Sequence, residues 1–148
     1  MSLRGWRILL VCWMALIFFV SSSLLANRAS FDATELLFGS LNYFARKTAH
    51  VVEYGILTFL WFRSLWIVRS GFRRAIGQSV LLTILYAVTD EVHQSMVPER
   101  LGLWSDVVFD AAGALAAGVL LVRTKEQLER AIGGVLGKRL LGPLADPT

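Results

Sequence analysis

The chain has 148 residues, 55% of them hydrophobic and only 18% charged, with a net charge of +4 and a mean hydropathy of +0.58. That balance excludes an ordinary water-soluble domain, which carries more charge and shorter aliphatic runs. The basic excess sits at the ends of apolar segments, with no stacking-plus-basic surface and no glycine-rich phosphate loop, so nucleic-acid and nucleotide binding are excluded too.

Four runs are long enough for a bilayer crossing, which takes about 20 residues per helix. The first, 6–25, follows Arg4 and Arg7 and ends near Ser21-Ser22-Ser23. It is too long for a signal peptide and lacks a small-x-small site, so residues 1–26 read as a retained first transmembrane helix with a short cytoplasmic amino terminus. The single cysteine, Cys12, lies inside this run and excludes an intrachain disulfide and a multi-thiolate zinc site. The remaining runs, 48–68, 75–97 and 103–122, form a three-helix core within residues 27–122. A basic cytoplasmic tail, 123–148, follows. The predicted fold class is all-α: a polytopic membrane protein built as a four-transmembrane-helix bundle.

Lysine and arginine set the orientation. Arg4 and Arg7, the loop with Arg63, Arg69, Arg73 and Arg74, and the tail with Arg123, Lys125, Arg130, Lys138 and Arg139 predict both termini cytoplasmic and two loops outside. The predicted location is the inner (plasma) membrane, multi-pass. With that topology Lys47, His50, Glu53 and Tyr54 begin the second helix at its outer end. Asp90, Glu91, His93 and Gln94 close the third before Pro98, Arg100 lies in the outer loop, and Asp106 and Asp110 open the fourth. At a rise of about 1.5 Å per residue, all of these fall within roughly 10 Å of one membrane surface. A charged group in hydrocarbon costs several kcal/mol, so three helices agreeing on one polar depth point to a site. Periodicity agrees, since Lys47, His50, Glu53 and Tyr54 share about a third of one helix circumference. In the fourth helix Asp106, Asp110, Gly113 and Ala117 share a face whose small residues admit close helix approach.

The pattern Lys47-x-x-His50-x-x-Glu53-Tyr54, Asp90-Glu91-x-His93-Gln94, Val97-Pro98-x-Arg100 and Asp106 with Gly113 downstream resembles the VanZ-like membrane protein family. The resemblance runs from about residue 44 to 122 and departs at Glu99, where glycine is usual, and at Asp110, where asparagine is expected. It implies a membrane fold and a cell-envelope setting, since the family takes its name from a protein linked to teicoplanin (glycopeptide) resistance. It implies no particular reaction.

Glu53, Asp90, Glu91, Asp106 and Asp110 outnumber Arg46, Lys47 and Arg100 by about two charges, so the layer needs protons or a cation. The candidate catalytic groups are His50, Glu53, Asp90 and Glu91, placed for proton transfer. Lys47, Tyr54, Gln94, Arg100 and Asp106 are candidates for substrate binding. His50, Glu53, Glu91 and His93 are candidate ligands for a divalent cation that would activate water against a lipid phosphate or ester. Plainer readings stand beside these: His50 as an interhelical hydrogen-bond partner, Lys47 as a snorkelling anchor, and Trp61, Trp66 and Trp104 as belt or packing residues. Three functions fit. They are a membrane-embedded enzyme acting on a lipid headgroup or lipid-linked cell-envelope precursor, a non-catalytic binder of such a precursor that alters glycopeptide sensitivity, and a small proton-coupled transporter. The transporter ranks last because the layer is not at the midplane and the chain has no internal repeat. The partner in each is a membrane lipid or lipid-linked precursor; cofactor identity and oligomeric state stay open.

Overall fold

The computed structural model describes residues 2–21, 40–66, 71–97 and 104–141. Every described element is helical: α1 (Leu3–Ser21), α2 (Ser40–Trp66), α3 (Phe72–Met96) and α4 (Trp104–Leu141). By internal contacts the chain divides into Met1–Gly118 and Val119–Thr148. The polar layer belongs wholly to the first unit. In the second unit the described residues continue α4, so the expected tail is helical as far as Leu141.

Local chemistry sets the helix ends. Ser2 caps α1, its hydroxyl accepting from the Gly5 amide (3.3 Å) and its carbonyl from the Trp6 amide (3.2 Å). Gly71 precedes α3 with φ +95°, a left-handed conformation that only glycine adopts without steric cost. At the other end of α3, Val97 is extended (φ −82°, ψ 125°), as Pro98 requires of the residue before it.

Contacts along the helices fix their directions. Trp6 meets Phe59 and Trp13 donates to the Glu53 carbonyl (3.1 Å), so α1 and α2 run antiparallel. Thr58 against Thr83 (3.0 Å) and Phe62 against Phe72 make α2 and α3 antiparallel. Tyr86 donates to the Met14 carbonyl (2.7 Å), joining α3 to α1 in parallel. The opening of α4 runs parallel to α2, with Gly55 beside Gly113 and Ala117. The first unit is thus an up-down-up-down arrangement around a core that includes Leu10, Ile17, Tyr54, Leu57, Leu60 and Ala87.

Its polarity is inverted relative to a water-soluble bundle. Thr58, Ser79, Thr83, Asp90, Gln94 and Asp110 are buried, whereas Ile8, Val11, Phe19, Leu81, Val108 and Leu115 are exposed. Apolar surface outside and satisfied polar groups inside is the arrangement that lipid favours. Among the described residues three helices are long and apolar enough to cross a membrane: Leu3–Ser21, Phe72–Met96 and Trp104–Gln127. They correspond to the first, third and fourth expected crossings. The second expected crossing falls in α2, which has the length but carries His50 and Glu53 within its central turns and Arg63 in its last turn. The expected all-α fold is therefore present, with four helices among the described residues, of which three meet the apolar requirement on their own.

Candidate functional site: a polar layer at one end of the bundle

The antiparallel order brings four helix segments to one end: the last turn of α1, the first half of α2, the last turns of α3 and the start of α4. Their polar side chains form two clusters.

The first centres on Asp90, which is 5% exposed. Its Oδ1 accepts from the Ser21 hydroxyl of α1 at 2.6 Å. Its Oδ2 accepts from the Tyr54 hydroxyl of α2 at 3.2 Å and from the Gln94 amide, one turn along α3, at 2.7 Å. One carboxyl thus joins three helices, and both of its oxygens accept from protein donors. Asp90, expected as a proton-transfer group, is hydrogen-bonded from three helices, and Tyr54 and Gln94, expected at the substrate, are two of its donors.

The second cluster joins α2 to α4. Lys47 forms an ion pair with Asp106, which also accepts from the Ser105 hydroxyl at 3.2 Å, and the Lys47 ammonium lies 5.1 Å from the Phe109 ring centroid. One turn deeper, His50 Nδ1 lies 2.9 Å from Asp110 Oδ1. The Asp110 side chain is 2% exposed and the imidazole 20% exposed. The two pairs are in register because Lys47 and His50 are three residues apart on α2, while Asp106 and Asp110 are four apart on the parallel α4. Close backbone approach permits this. A Cβ at Gly113 would strike the Val51 carbonyl oxygen.

Tyr54 links the clusters. Its hydroxyl reaches Asp90, and its ring lies nearly parallel to the His50 ring (7° between planes, centroids 6.4 Å apart). Glu53 is half-buried between them, with His50, Asp90 and Asp110 in electrostatic reach. Charge near His50 and Glu53 is therefore set by carboxylates from two neighbouring helices.

The remaining predicted residues lie elsewhere. Glu91 is buried on α3. His93 stacks on Phe18 of α1, with ring centroids 4.3 Å apart. Arg100 falls outside the described residues, as does the side chain of Arg46. The proposed cation ligands His50, Glu53, Glu91 and His93 are not assembled: among the described residues no three His, Cys, Asp or Glu side chains form a group that would hold a metal ion. The physical reason is visible in two of them, since Asp110 takes the His50 Nδ1 and the α1 aromatic face takes the His93 ring.

Two contributors were missed by sequence reasoning. Asp110 was placed on the Asp106 face of the fourth helix as an added charge but given no partner or role, although its one-turn spacing from Asp106 marks it as a partner for a second α2 residue. Ser21 gave no distinctive signal, being one of three serines at the end of an apolar run.

Apolar-out, polar-in helices with a charged layer at one end define an integral membrane protein. The chain belongs to the VanZ/LLP1 family, whose model matches residues 6–125. No curated protein and no solved structure matches it.

Proposed function

We propose that this VanZ-family protein is a membrane-embedded enzyme acting on the headgroup or linkage of a lipid or lipid-linked cell-envelope precursor, with His50 as the proton-transfer group. The observation that carries this reading is the His50–Asp110 pair. A buried carboxylate at 2.9 Å holds Nδ1, and Nε2 has no hydrogen-bond partner among the described residues. A carboxylate that orients an imidazole and leaves its second nitrogen free is the arrangement general acid–base catalysis uses. Lys47, one turn nearer the helix start, supplies the positive charge for an anionic headgroup, and Asp106 holds that ammonium until such a group replaces it. Glu53 is the second proton-transfer candidate. Asp90 serves the framework.

In this reading α2 also crosses the membrane. Its 27 residues span about 40 Å at 1.5 Å per residue, and its polar side chains meet α1, α3 and α4 rather than lipid. The arginines at the opposite end favour both termini cytoplasmic, in the plasma (inner) membrane, with the polar layer at the outer surface.

The test compares the lipids of cells that lack the protein, make it, or make the variant His50→Asn. Asparagine retains an amide N–H close to the place of Nδ1, so it can still donate to Asp110 while losing the second ring nitrogen. The expected result is a lipid difference that depends on the protein and disappears in the variant at equal protein amount. Rates should fall by about 10²–10⁴-fold, the usual contribution of such a group. Identical lipids in all three samples overturn the enzyme reading. A non-catalytic binder would instead tolerate His50→Asn and fail with Lys47→Ala.

A further inference from the structure

A single hydrogen bond does not fix an imidazole. Asp110 holds His50 Nδ1 at 2.9 Å, yet the ring can still swing about that line and carry Nε2 through an arc. Proton transfer needs Nε2 held in one direction, so the plane of the ring requires a second constraint.

Tyr54 is placed to supply it. It follows His50 by four residues, the spacing that makes side chains neighbours on one helix face, and long helical side chains lean back toward the helix start, here toward His50. The two ring planes are only 7° apart, with centroids separated by 6.4 Å. Tyr54 is itself immobilised. It is fully buried (0% exposed), and its hydroxyl donates to Asp90 Oδ2 at 3.2 Å. Asp90 is held in turn by Ser21 of α1 at 2.6 Å and by Gln94 of α3 at 2.7 Å. His50 is therefore approached from two sides, by Asp110 of α4 through Nδ1 and by the Asp90 cluster through the Tyr54 ring.

Tyr54 and Gln94 share the same acceptor, Asp90 Oδ2, which separates a positioning role from a purely structural one. Both bonds fasten the Asp90 cluster, but Tyr54 is the donor whose ring adjoins His50.

We propose that Tyr54 is the positioning residue of His50: its ring, fixed in plane by the bond to Asp90, sets the direction of Nε2. This rests on the proton-transfer role of His50 and assigns Tyr54 to the imidazole rather than to the substrate.

The experiment uses the full chain, labelled with carbon-13 at histidine Cε1 and reconstituted with the total lipids of cells that lack the protein. The two histidines give two resonances, which His93→Asn tells apart. Lipid turnover and thermal unfolding are measured on the same preparations. Tyr54→Phe leaves Asp90 with Ser21 and Gln94 as donors, so the bundle stays folded. The His50 resonance should shift or broaden. The maximal rate should fall about tenfold at an unchanged half-saturating lipid fraction, less than the roughly 10²-fold that a displacement of about 1 Å costs. Gln94→Met removes the other donor to Oδ2. It should lower the unfolding midpoint while leaving the His50 resonance and the rate as in wild type. If Tyr54→Phe does not fold, Tyr54→Gln decides by the same readouts, because it keeps a donor for Asp90 and removes the ring. An unmoved His50 resonance in the Tyr54 variant, an equal disturbance in Gln94→Met, or a wild-type rate despite a moved resonance overturns the proposal. Should the wild type turn over no lipid, the enzyme reading falls, and the resonances alone decide whether Tyr54 sets the ring.

Discussion

Gly113→Ala is expected to reduce function by at least about 10²-fold while leaving a helical protein in the membrane. The added methyl would meet the Val51 carbonyl oxygen, a backbone atom that cannot rotate away as a flexible side-chain tip can. Relief therefore requires α4 to withdraw from α2. Overpacking of this kind costs about 1–3 kcal/mol, enough to destabilise the bundle without unfolding every helix. The functional loss is larger because the same two helices carry Lys47 with Asp106 and His50 with Asp110. A displacement of about 1 Å between reacting groups is worth on the order of 10²-fold in rate. The measurement is the protein-dependent lipid change alongside thermal unfolding in detergent. Wild-type function in Gly113→Ala would show that the close α2–α4 approach does not set the site. Gly55 provides the control: a Cβ there would make only ordinary contact with the Gly113 carbonyl at 3.5 Å, so Gly55→Ala should be mild.

Asp90→Ala is expected to be the most destabilising single substitution in the layer. Ser21, Tyr54 and Gln94 would lose their shared acceptor together, and the deleted carboxyl would leave a gap between three helices. Values from water-soluble proteins, about 1–3 kcal/mol for each orphaned buried donor, apply to Tyr54 and Gln94, since the Ser21 hydroxyl can turn to the Phe18 carbonyl at 3.0 Å. Hydrogen bonds between membrane helices average nearer 0.6 kcal/mol, because groups in the unfolded reference also find partners. A total of about 2–4 kcal/mol follows from weighing these scales together with the cavity. Asp90→Asn keeps one acceptor oxygen and should lose about half as much. Unfolding in a denaturing detergent measures both. An Asp90→Ala protein as stable as wild type but inactive would return Asp90 to the reaction itself.

The contrast between Asp90 and His50 shows where sequence reasoning stops. Both are polar residues at the same depth in apolar segments, and depth is readable because each residue advances a helix by a fixed rise. The four helices and the shared end of their polar residues were therefore legible. Partner choice was not, because the periodicity of one helix says which way a residue faces but not what faces it. Asp90 meets three donors, one of them Ser21 from the far side of α1. His50 meets Asp110, a residue placed in the polar layer from the sequence but given no partner there. The candidate metal ligands are spread for the same reason: His50 and His93 share a depth but meet different neighbours, one on α4 and one on α1. The length of α4 was underestimated because residues beyond 122 are too polar for a membrane crossing. Their Lys, Glu, Gln, Leu and Arg content nevertheless favours helix.

The central claim is that the His50–Asp110 pair performs chemistry, beyond fastening α2 to α4. Its most direct test measures lipid turnover and thermal unfolding on one preparation of purified full chain, reconstituted with the total lipids of cells that lack it. Wild type should convert a lipid component, and His50→Asn should lose at least about 10²-fold of that rate with its unfolding midpoint nearly unchanged. A His50→Asn protein that keeps its turnover, or loses it only in proportion to the fraction unfolded, would contradict the claim and leave the pair as a structural staple.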